Sequence, residues 1–446
     1  MRIAIAGVGY VGLVTGVCLA ELGHEITCVD LQKDRVNLLN SGRSPIYEPG
    51  LEPLLTKNIS CGRLFFTTNP EKAYKHAEII FITVGTPAKE DGTADLDQVT
   101  AAADTIASQI TNDVIICTKS TVPVGTNEKI KQMIDKEKTG PFKTTVISNP
   151  EFLREGSAIF DFFHGDRIII GSDNPEASAT IEKLYAPIHI PVIKTDIRSA
   201  EMIKYASNAF LATKISFINE IAAICEKLDA NIEEVAIGIG SDKRIGNHFL
   251  RAGIGYGGSC FPKDTKALAQ LAGNVQHPFE LLDAVINVNN RQQSIPVKKA
   301  KEIIPSLAGK KVSVLGLAFK PGTDDIRESP SLKIMKELQQ EKAIVTAYDP
   351  IAISTMQKEL GNHFTYTNDI LEALWDSELA IIATDWEQIK KFPLYLYSEY
   401  MKNPVIIDGR NCYSMDEVKK YPIHYVSIGR PSHMPTIVEV NQSLLL

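Results

Sequence analysis

The sequence predicts an α/β protein of two doubly wound units joined by a long central helix and a helical connector. Three observations carry this reading. The apolar run Arg2–Ala6 leads into a glycine turn, Gly7-Val-Gly9-Tyr-Val-Gly12, and then a helical pattern. A second strand, turn, helix and strand pattern begins at Lys311 without that glycine spacing. Between the two, Ser199 to about Leu228 contains no Pro or Gly and reads as one helix. It would span roughly 45 Å, long for a surface helix and suited to a spine between domains. The expected division is a Rossmann-like dinucleotide-binding domain over 1–197, a helical connector over 198–300 and a second Rossmann-like domain over 301–446.

The chain has 446 residues, enough for two or three domains. Hydrophobic residues make up 44% and charged residues 23%, as in ordinary globular proteins. A net charge of −7 leaves no electrostatic footprint for nucleic acid, so an anionic substrate must meet a local cluster of Lys and Arg. The 7 cysteines are scattered and form no CxxC pair. That argues for a reducing compartment and against a disulfide framework or a zinc site; no metal site is expected. Ile3–Ala20 carries no charge and could pass for a signal peptide or a membrane span. Its glycines make better sense as a nucleotide-binding turn, so a cytoplasmic chain outside the membrane is expected.

In the first unit Gly7 makes the tight turn, Gly9 admits a pyrophosphate, and Gly12 lets helix and strand pack closely. Glu25–Val29 is the next strand, and Asp30 at its end would accept hydrogen bonds from an adenosine ribose. Asp30 would also repel a 2′-phosphate, which favours NAD over NADP. Leu31-Gln32 offers no immediate cation, although Lys33 and Arg35 lie close. Further strands are expected at Ile79–Val84, Val114–Thr118, Thr145–Ile147 and Arg167–Ile170, giving a parallel sheet. Three segments follow strand ends, where such sheets bind ligands: Gly85-Thr86-Pro87, Ser120-Thr121-Val-Pro-Val-Gly125 and Asn149-Pro-Glu151-Phe-Leu-Arg-Glu155. Each could equally be an ordinary loop.

Lys204 and Asn208 are four apart in the long helix and share a face. Packed-looking neighbours suggest that they point into a cleft; a solvated pair is the plainer alternative. The stretch Gly253-Ile-Gly-Tyr-Gly-Gly-Ser-Cys260-Phe-Pro-Lys263-Asp264 places a cysteine after four glycines and just before Pro262. Proline suits the first turn of a helix, so Cys260 would sit at a helix N-terminus, where a thiolate is favoured. Asp264 lies about one turn on. A structural thiol beside a flexible loop is the alternative. Helical patterning is expected to continue to about Arg291, followed by a lysine-rich helix flanked by Pro296 and Pro305. Strands follow at Lys311–Leu315, Ile344–Tyr348, Leu379–Ala383 and Val405–Ile407. Lys320 and Arg327 at the crevice of this second unit suit phosphate. The last dozen residues read as a loose tail.

Together these motifs resemble the nucleotide-sugar 6-dehydrogenases of the UDP-glucose/GDP-mannose dehydrogenase family. The matching residues are Gly7-x-Gly9-x-x-Gly12, Ser120–Gly125, Asn149–Gly156, Lys204-Tyr-Ala-Ser-Asn208, Gly257-Gly-Ser-Cys260-Phe-Pro-Lys-Asp264 and Phe319-Lys320 through Arg327-Glu-Ser-Pro330. The resemblance implies an NAD domain, a connector that forms a homodimer, and a domain that grips UDP. It implies Cys260 as nucleophile, and Lys204, Asn208 and Asp264 as groups around the sugar oxygens and a water. Glu151 would be the acid–base residue of thioester hydrolysis, with Thr121 placing that water. NAD contacts would come from Gly7, Gly9, Tyr10, Val11, Gly12, Asp30, Arg35, Gly85, Thr86, Thr121, Glu155, Lys263 and Arg327. UDP-glucose contacts would come from Glu151, Phe152, Leu153, Lys204, Asn208, Phe249, Arg251, Gly253, Tyr256, Gly257, Phe319 and Lys320. Arg244 would reach the substrate from the partner subunit.

The implied reaction oxidises UDP-glucose to UDP-glucuronate, feeding polysaccharide synthesis, with two NAD consumed. A thiol and two separately placed carboxylates suit it: the thiol traps an aldehyde, and splitting the oxidation lowers each barrier. Three rivals stand beside it. A one-step hydroxyacid dehydrogenase would need neither Cys260 nor a second α/β unit. A sister enzyme would act on GDP-mannose or an N-acetylated UDP-sugar. A silent NAD-binding regulator would need no filled catalytic positions.

Overall fold

The computed structural model describes residues 1–435. All but the first residue of the expected tail therefore lies outside the described residues. The chain forms two compact units, one of Met1–Ser207 with Lys266–His277, the other of Asn208–Thr265 with the chain from Pro278 onward.

The first unit is built on β1 (Arg2–Ala6), β2 (Glu25–Val29), β3 (Leu64–Thr67), β4 (Ile79–Ile82), β5 (Val114–Thr118), β6 (Thr144–Ser148), β7 (Ile168–Gly171) and β8 (Val192–Thr195). Their order across the sheet is β3-β2-β1-β4-β5-β6-β7-β8. Alternation along β1 feeds two cores: Ile3 and Ile5 pack with Leu13 and Val17 on one face, Ala4 and Ala6 with Ile80 and Ile106 on the other. Burial on both faces explains why these strands read as continuous apolar runs. The expected all-parallel sheet needs one correction. β7 meets β6 antiparallel through the single pair Ser148 and Gly171, and β7 and β8 then run parallel to each other.

The second unit has β9 (Lys311–Leu315), β10 (Ile344–Tyr348), β11 (Thr365–Thr367), β12 (Leu379–Ile382), β13 (Val405–Asp408) and β14 (His424–Ser427), in the order β11-β10-β9-β12-β13-β14. Among the described residues its strands pair in parallel, and Tyr425 of β14 adds an isolated antiparallel bridge to His433. Four strands, β3, β8, β11 and β14, have no counterpart among the expected ones. These are short strands in mixed sequence: VIKT of β8 is largely exposed, and β11 has three residues.

The spine is a 31-residue helix, Ile197–Lys227. The helical patterning expected to about Arg291 is present as two helices, Phe261–Asn274 and Glu280–Gln292. The break has a local cause: Pro278 disfavours helical geometry at the residue before it, and Gln276 turns through φ +60°. Other helices start where the sequence supplies a cap and a proline. Asn174 accepts from the backbone N–H groups of Glu176 and Ala177 with Pro175 at the first turn, and Ser329 caps the helix Pro330–Gln340 likewise. Among the described residues no helix is long and apolar enough to cross a membrane.

Candidate active site

β1 ends in the glycine turn, and Gly9 caps the helix Tyr10–Glu21 with no side-chain hydrogen bond. The first backbone N–H groups of that helix are thus left for an anion. A Cβ on Gly9 would meet nothing within 4 Å, so the cradle is open. One on Gly12 would lie 2.0 Å from the Gly7 carbonyl oxygen, which enforces glycine there. Asp30, 8% exposed, accepts from the backbone N–H of Val8 at 3.0 Å and of Gln32 at 2.9 Å. Arg35 pairs with the same carboxylate at 3.0 Å. The open turn and the acid beside it fit the diphosphate and ribose of a dinucleotide. Tyr10 donates its phenol to the buried Glu48, which also accepts from the backbone N–H of Gly156 at 2.6 Å and of Ala158 at 2.7 Å. Burial, then Glu48, pushes the Tyr10 phenol far above its ordinary pKa. Glu48, which no motif singles out, therefore ties the glycine turn to the end of the Glu151 loop.

Two more strand-end loops of this unit are locked together. Thr86 donates to the carbonyl of Thr121 at 2.9 Å, and Ser120 to that of Val84 at 2.7 Å. Buried Glu201 on the spine accepts from the N–H groups of Gly125 (2.7 Å) and Asn127 (2.9 Å), at the start of the helix Thr126–Glu137. Burial raises its pKa; those bonds and the Asn127 side chain oppose the rise. Lys204 and Glu151 meet at 3.0 Å, with side chains only 4% and 5% exposed. The other oxygen of Glu151 accepts from the N–H of Leu153 at 2.5 Å. The Phe152 ring lies 3.8 Å from the Arg167 guanidinium and 5.2 Å from the Lys204 ammonium. Lys204 is thus no solvated residue; it is paired and buried.

In the second unit Cys260 immediately precedes the helix Phe261–Asn274, and its carbonyl accepts the N–H of Asp264 at 2.8 Å. Its thiol is partly exposed, unlike those of Cys18, Cys28, Cys117 and Cys225. Asp264, 1% exposed, accepts from Asn208 at 2.6 Å and from Lys263 at 2.5 Å. The glycine-rich loop before the thiol is held by Asn289, whose side chain accepts from the Tyr256 N–H (2.8 Å) and donates to the Tyr256 carbonyl (3.0 Å). At Gly255, φ is +84° and a Cβ would sit 2.5 Å from Asn289 Oδ1, so only glycine fits. Gln292 donates to the Gly253 carbonyl at 2.8 Å.

That loop walls a cavity of about 260 Å³, lined by Phe249, Arg251, Gly253, Tyr256, Gly257, Phe319 and Lys320 from the expected set. Ile215, Asn219, Ala252, Gly255, Phe261, Asp385 and Arg410 complete it. Phe319, Asp385 and Arg410 follow the carboxyl ends of β9, β12 and β13, where open α/β sheets hold ligands. The same rule, applied to the second unit, points to Arg410 and Asp385 in the sequence. Arg410 donates to the carbonyls of Gly255 (3.0 Å), Ala383 (2.8 Å) and Phe319 (3.4 Å). Burial lowers its pKa, with Asp385 opposing. Arg251 pairs with Asp385 at 2.8 Å. Asn219, 1% exposed, accepts from the Gly253 N–H at 2.9 Å while its Nδ2 has no partner. A larger cavity, about 510 Å³, lies at the amino ends of β9–β11, and its Lys311 is already paired with Asp376. It lacks the cation cluster.

Glu151, Phe152, Leu153, Lys204 and Asn208 of the expected contacts do not line this cavity, and neither do two expected arginines. Arg244, its side chain 89% exposed, folds onto Asp242 at 2.6 Å, and Arg327 folds onto Asp325 at 2.7 Å. Among the described residues no group of three or more His, Cys, Asp or Glu could hold a metal.

An open dinucleotide turn, a buried Lys–Glu pair and a thiol at a helix start define an NAD-dependent dehydrogenase class. Three domains of one family match the chain: the NAD binding domain over 1–189, the central domain over 198–291 and the UDP binding domain over 313–415. The chain is 55% identical to UDP-glucose 6-dehydrogenase YwqF of Bacillus subtilis, covering 98% of this chain and 99% of the relative. It superposes on a UDP-glucose dehydrogenase from Pyrobaculum islandicum with TM-score 0.89 at 39% identity, covering 95% and 96% of the two chains. It superposes on a UDP-D-ManNAc dehydrogenase from Pyrococcus horikoshii with TM-score 0.85 at 28% identity, covering 96% and 99%. The chain belongs to the UDP-glucose/GDP-mannose dehydrogenase family and is an NAD-dependent oxidoreductase.

Proposed function

We propose that this enzyme oxidises UDP-glucose to UDP-glucuronate in two hydride-removing steps. The carrying observation is the cavity of the second unit. Arg251, Lys320 and Arg410 outweigh Asp385 there and suit a diphosphate, while Phe249, Tyr256, Phe261 and Phe319 offer rings to the uridine and sugar. The free Nδ2 of Asn219 adds a donor.

NAD, held by Gly7, Gly9, Gly12 and Asp30, supplies the hydride acceptor for both oxidations. Asp264, through a bound water, takes the proton from the C6 hydroxyl, and the Lys204 ammonium offsets charge developing on O6. Asn208 orients the sugar oxygens. The Cys260 thiolate adds to the C6 aldehyde; as the S–C bond forms the C=O π bond opens, and its oxygen takes a proton back from the water held by Asp264 to give a thiohemiacetal. Loss of the second hydride and of the hydroxyl proton leaves a thioester. Glu151 then takes a proton from water as the water attacks C6; the C–S bond breaks, giving carboxylate and free thiol. Thr121 places that water.

The working division is an NAD domain over 1–197, a connector over 198–300 and a UDP-sugar domain over 301–446, which the three matched family domains support. Homodimerisation is supported by an exposed apolar stripe on the spine, Phe210, Phe217 and Ile224 at seven-residue spacing, continued by Leu228 and Ile237. Exposed Arg244 is then available to a neighbouring subunit. A cytoplasmic role in polysaccharide precursor supply completes the reading.

The test is stoichiometry. Two NADH formed per UDP-glucose consumed support it; one NADH, with an aldehyde or keto product, overturns it. The second reading, an N-acetylated UDP-sugar as substrate, rests on the superposition with the Pyrococcus horikoshii enzyme. It requires a higher kcat/KM with that sugar than with UDP-glucose.

A further inference from the structure

Asp408 and Arg430 of the second unit are buried ionisable residues that the mechanism above does not use. Asp408, 0% exposed, is the last residue of β13. It accepts from the backbone N–H of Arg410 at 2.9 Å, from that of Cys412 at 2.7 Å and from the Tyr425 hydroxyl at 2.6 Å. All three donors are neutral. Tyr425, buried on neighbouring β14, accepts in turn from Arg430 at 2.9 Å. The Arg430 side chain, 0% exposed, also donates to the Tyr413 carbonyl at 2.9 Å and pairs at 3.2 Å with Glu233, at the start of the helix Ile232–Gly240. Asn411 completes the cluster: it accepts from the Ile428 N–H at 3.0 Å and donates to the Ile428 carbonyl at 2.9 Å. Desolvating a carboxylate and a guanidinium is costly, and apolar side chains of like volume often serve stability as well, so packing gives little reason for either. What the cluster holds is the turn 409–412. There the Gly409 carbonyl accepts from the Ile254 N–H at 3.0 Å, and the Arg410 guanidinium reaches the Gly255 carbonyl at 3.0 Å, so the turn is fastened to the cavity wall.

We propose that Asp408, braced by Tyr425 and Arg430, is the positioning residue for Arg410: it fixes the backbone from which that guanidinium meets the diphosphate of the UDP-sugar. The inference rests on the reading of this cavity as the UDP-sugar site. A guanidinium carries five N–H donors in a rigid planar fork. In Arg410 the Nε group goes to the Ala383 carbonyl, one terminal nitrogen to Gly255 and the other to Phe319. Each terminal nitrogen therefore keeps one further N–H, the pair that a phosphate takes bidentately. Such a fork is useful only while its backbone stays in place, and the Asp408 carboxylate is what the Arg410 N–H is bonded to.

The experiment is a double-mutant cycle on the whole chain, with UDP as the calorimetric probe and NAD as the control. Asp408→Asn keeps the shape of the side chain but turns an amide toward donors that the carboxylate accepts. It should weaken UDP binding by about tenfold, as expected for a hydrogen bond to a charged group, and leave NAD binding unchanged. In an Arg410→Ala background the same change should cost no further UDP affinity, because the side chain that it positions is gone. Losses that add in the double variant would reduce Asp408 to a structural residue and overturn the proposal. Wild-type UDP affinity in Asp408→Asn, or an equal loss of NAD affinity, would overturn it too. Should Asp408→Asn fail to fold, Tyr425→Phe decides. It removes one hydroxyl from the carboxylate and should weaken UDP by about threefold, again with no effect in the Arg410→Ala background; an additive loss overturns the proposal. Arg410→Ala with wild-type UDP affinity would remove the UDP reading of the cavity itself, an outcome distinct from additive losses, which overturn the positioning role alone.

Discussion

Both units end the second strand of their glycine turn in an aspartate, yet the two acids do different work. Asp30 accepts from two backbone N–H groups and from the partly exposed Arg35 at the mouth of an open turn. Asp349 is 0% exposed and accepts from the N–H groups of Leu317, Ala318, Ile351 and Ala352 and from the Trp386 indole. Its oxygens are fully engaged inside the fold. The turn it braces is filled by Leu317 and Ala318, both 0% exposed, where the first unit has the glycine cradle. The same strand–turn–strand chassis thus serves as a dinucleotide site when its turn is empty and as a structural brace when its turn is packed. The candidate ligand cavity of the second unit lies instead beside Lys320, Asp385 and Arg410. The proposed chemistry is divided between the units as well: the first carries the proposed base, Glu151, and the second the proposed nucleophile, Cys260.

The division of chemistry is the easiest to break. Cys260→Ala should fold and bind UDP-glucose but lose UDP-glucuronate formation by on the order of 10⁴-fold or more. Acid production near the wild-type rate would remove the covalent step. Glu151→Gln should stop the reaction later. It is nearly isosteric but cannot accept a proton, so thioester hydrolysis should slow by about 10²–10⁴-fold. Both hydride transfers precede that step, so a rapid burst of up to two NADH per site should remain, with an acyl group on Cys260 that hydroxylamine removes. No burst and no adduct would move Glu151 into the first oxidation.

The paired aspartates sharpen the contrast. Asp349→Ala strands several buried donors and should lower unfolding stability by about 3 kcal/mol, with NAD affinity of the folded enzyme unchanged. Denaturant titration and calorimetric NAD binding together check this; weakened NAD binding at full stability would contradict it. Asp30→Ala should do the reverse, weakening NAD by about 1.5–3 kcal/mol while the melting temperature and UDP-glucose affinity hold. An unchanged Kd would mean that Asp30 does not face the ribose. The smallest effect concerns cofactor choice. The enzyme should prefer NAD over NADP in kcat/KM, but Arg35, already at 3.0 Å from Asp30, softens the repulsion of a 2′-phosphate. Equal values would show that Arg35 has cancelled it.

Features governed by neighbours along the chain are legible in the sequence itself. Strand β1, its glycine turn and Asp30 follow from an apolar run and glycine spacing. The helix start at Cys260 follows from Pro262, and the spine from a stretch free of Pro and Gly. Each is set by backbone stereochemistry over a few residues. The break at Pro278 belongs to this class too, although the helical pattern on either side of it masks the stop. What only the tertiary structure decided is partnership across the chain. Glu48 meets Gly156 over 108 positions, Lys204 meets Glu151 over 53, and Arg410 meets Gly255 over 155. Whether Lys119 is a solvated cation or a buried one against Asn149 and Tyr185 is likewise invisible in sequence. Burial and electrostatic environment depend on which distant segments pack together, and one-dimensional spacing does not encode that.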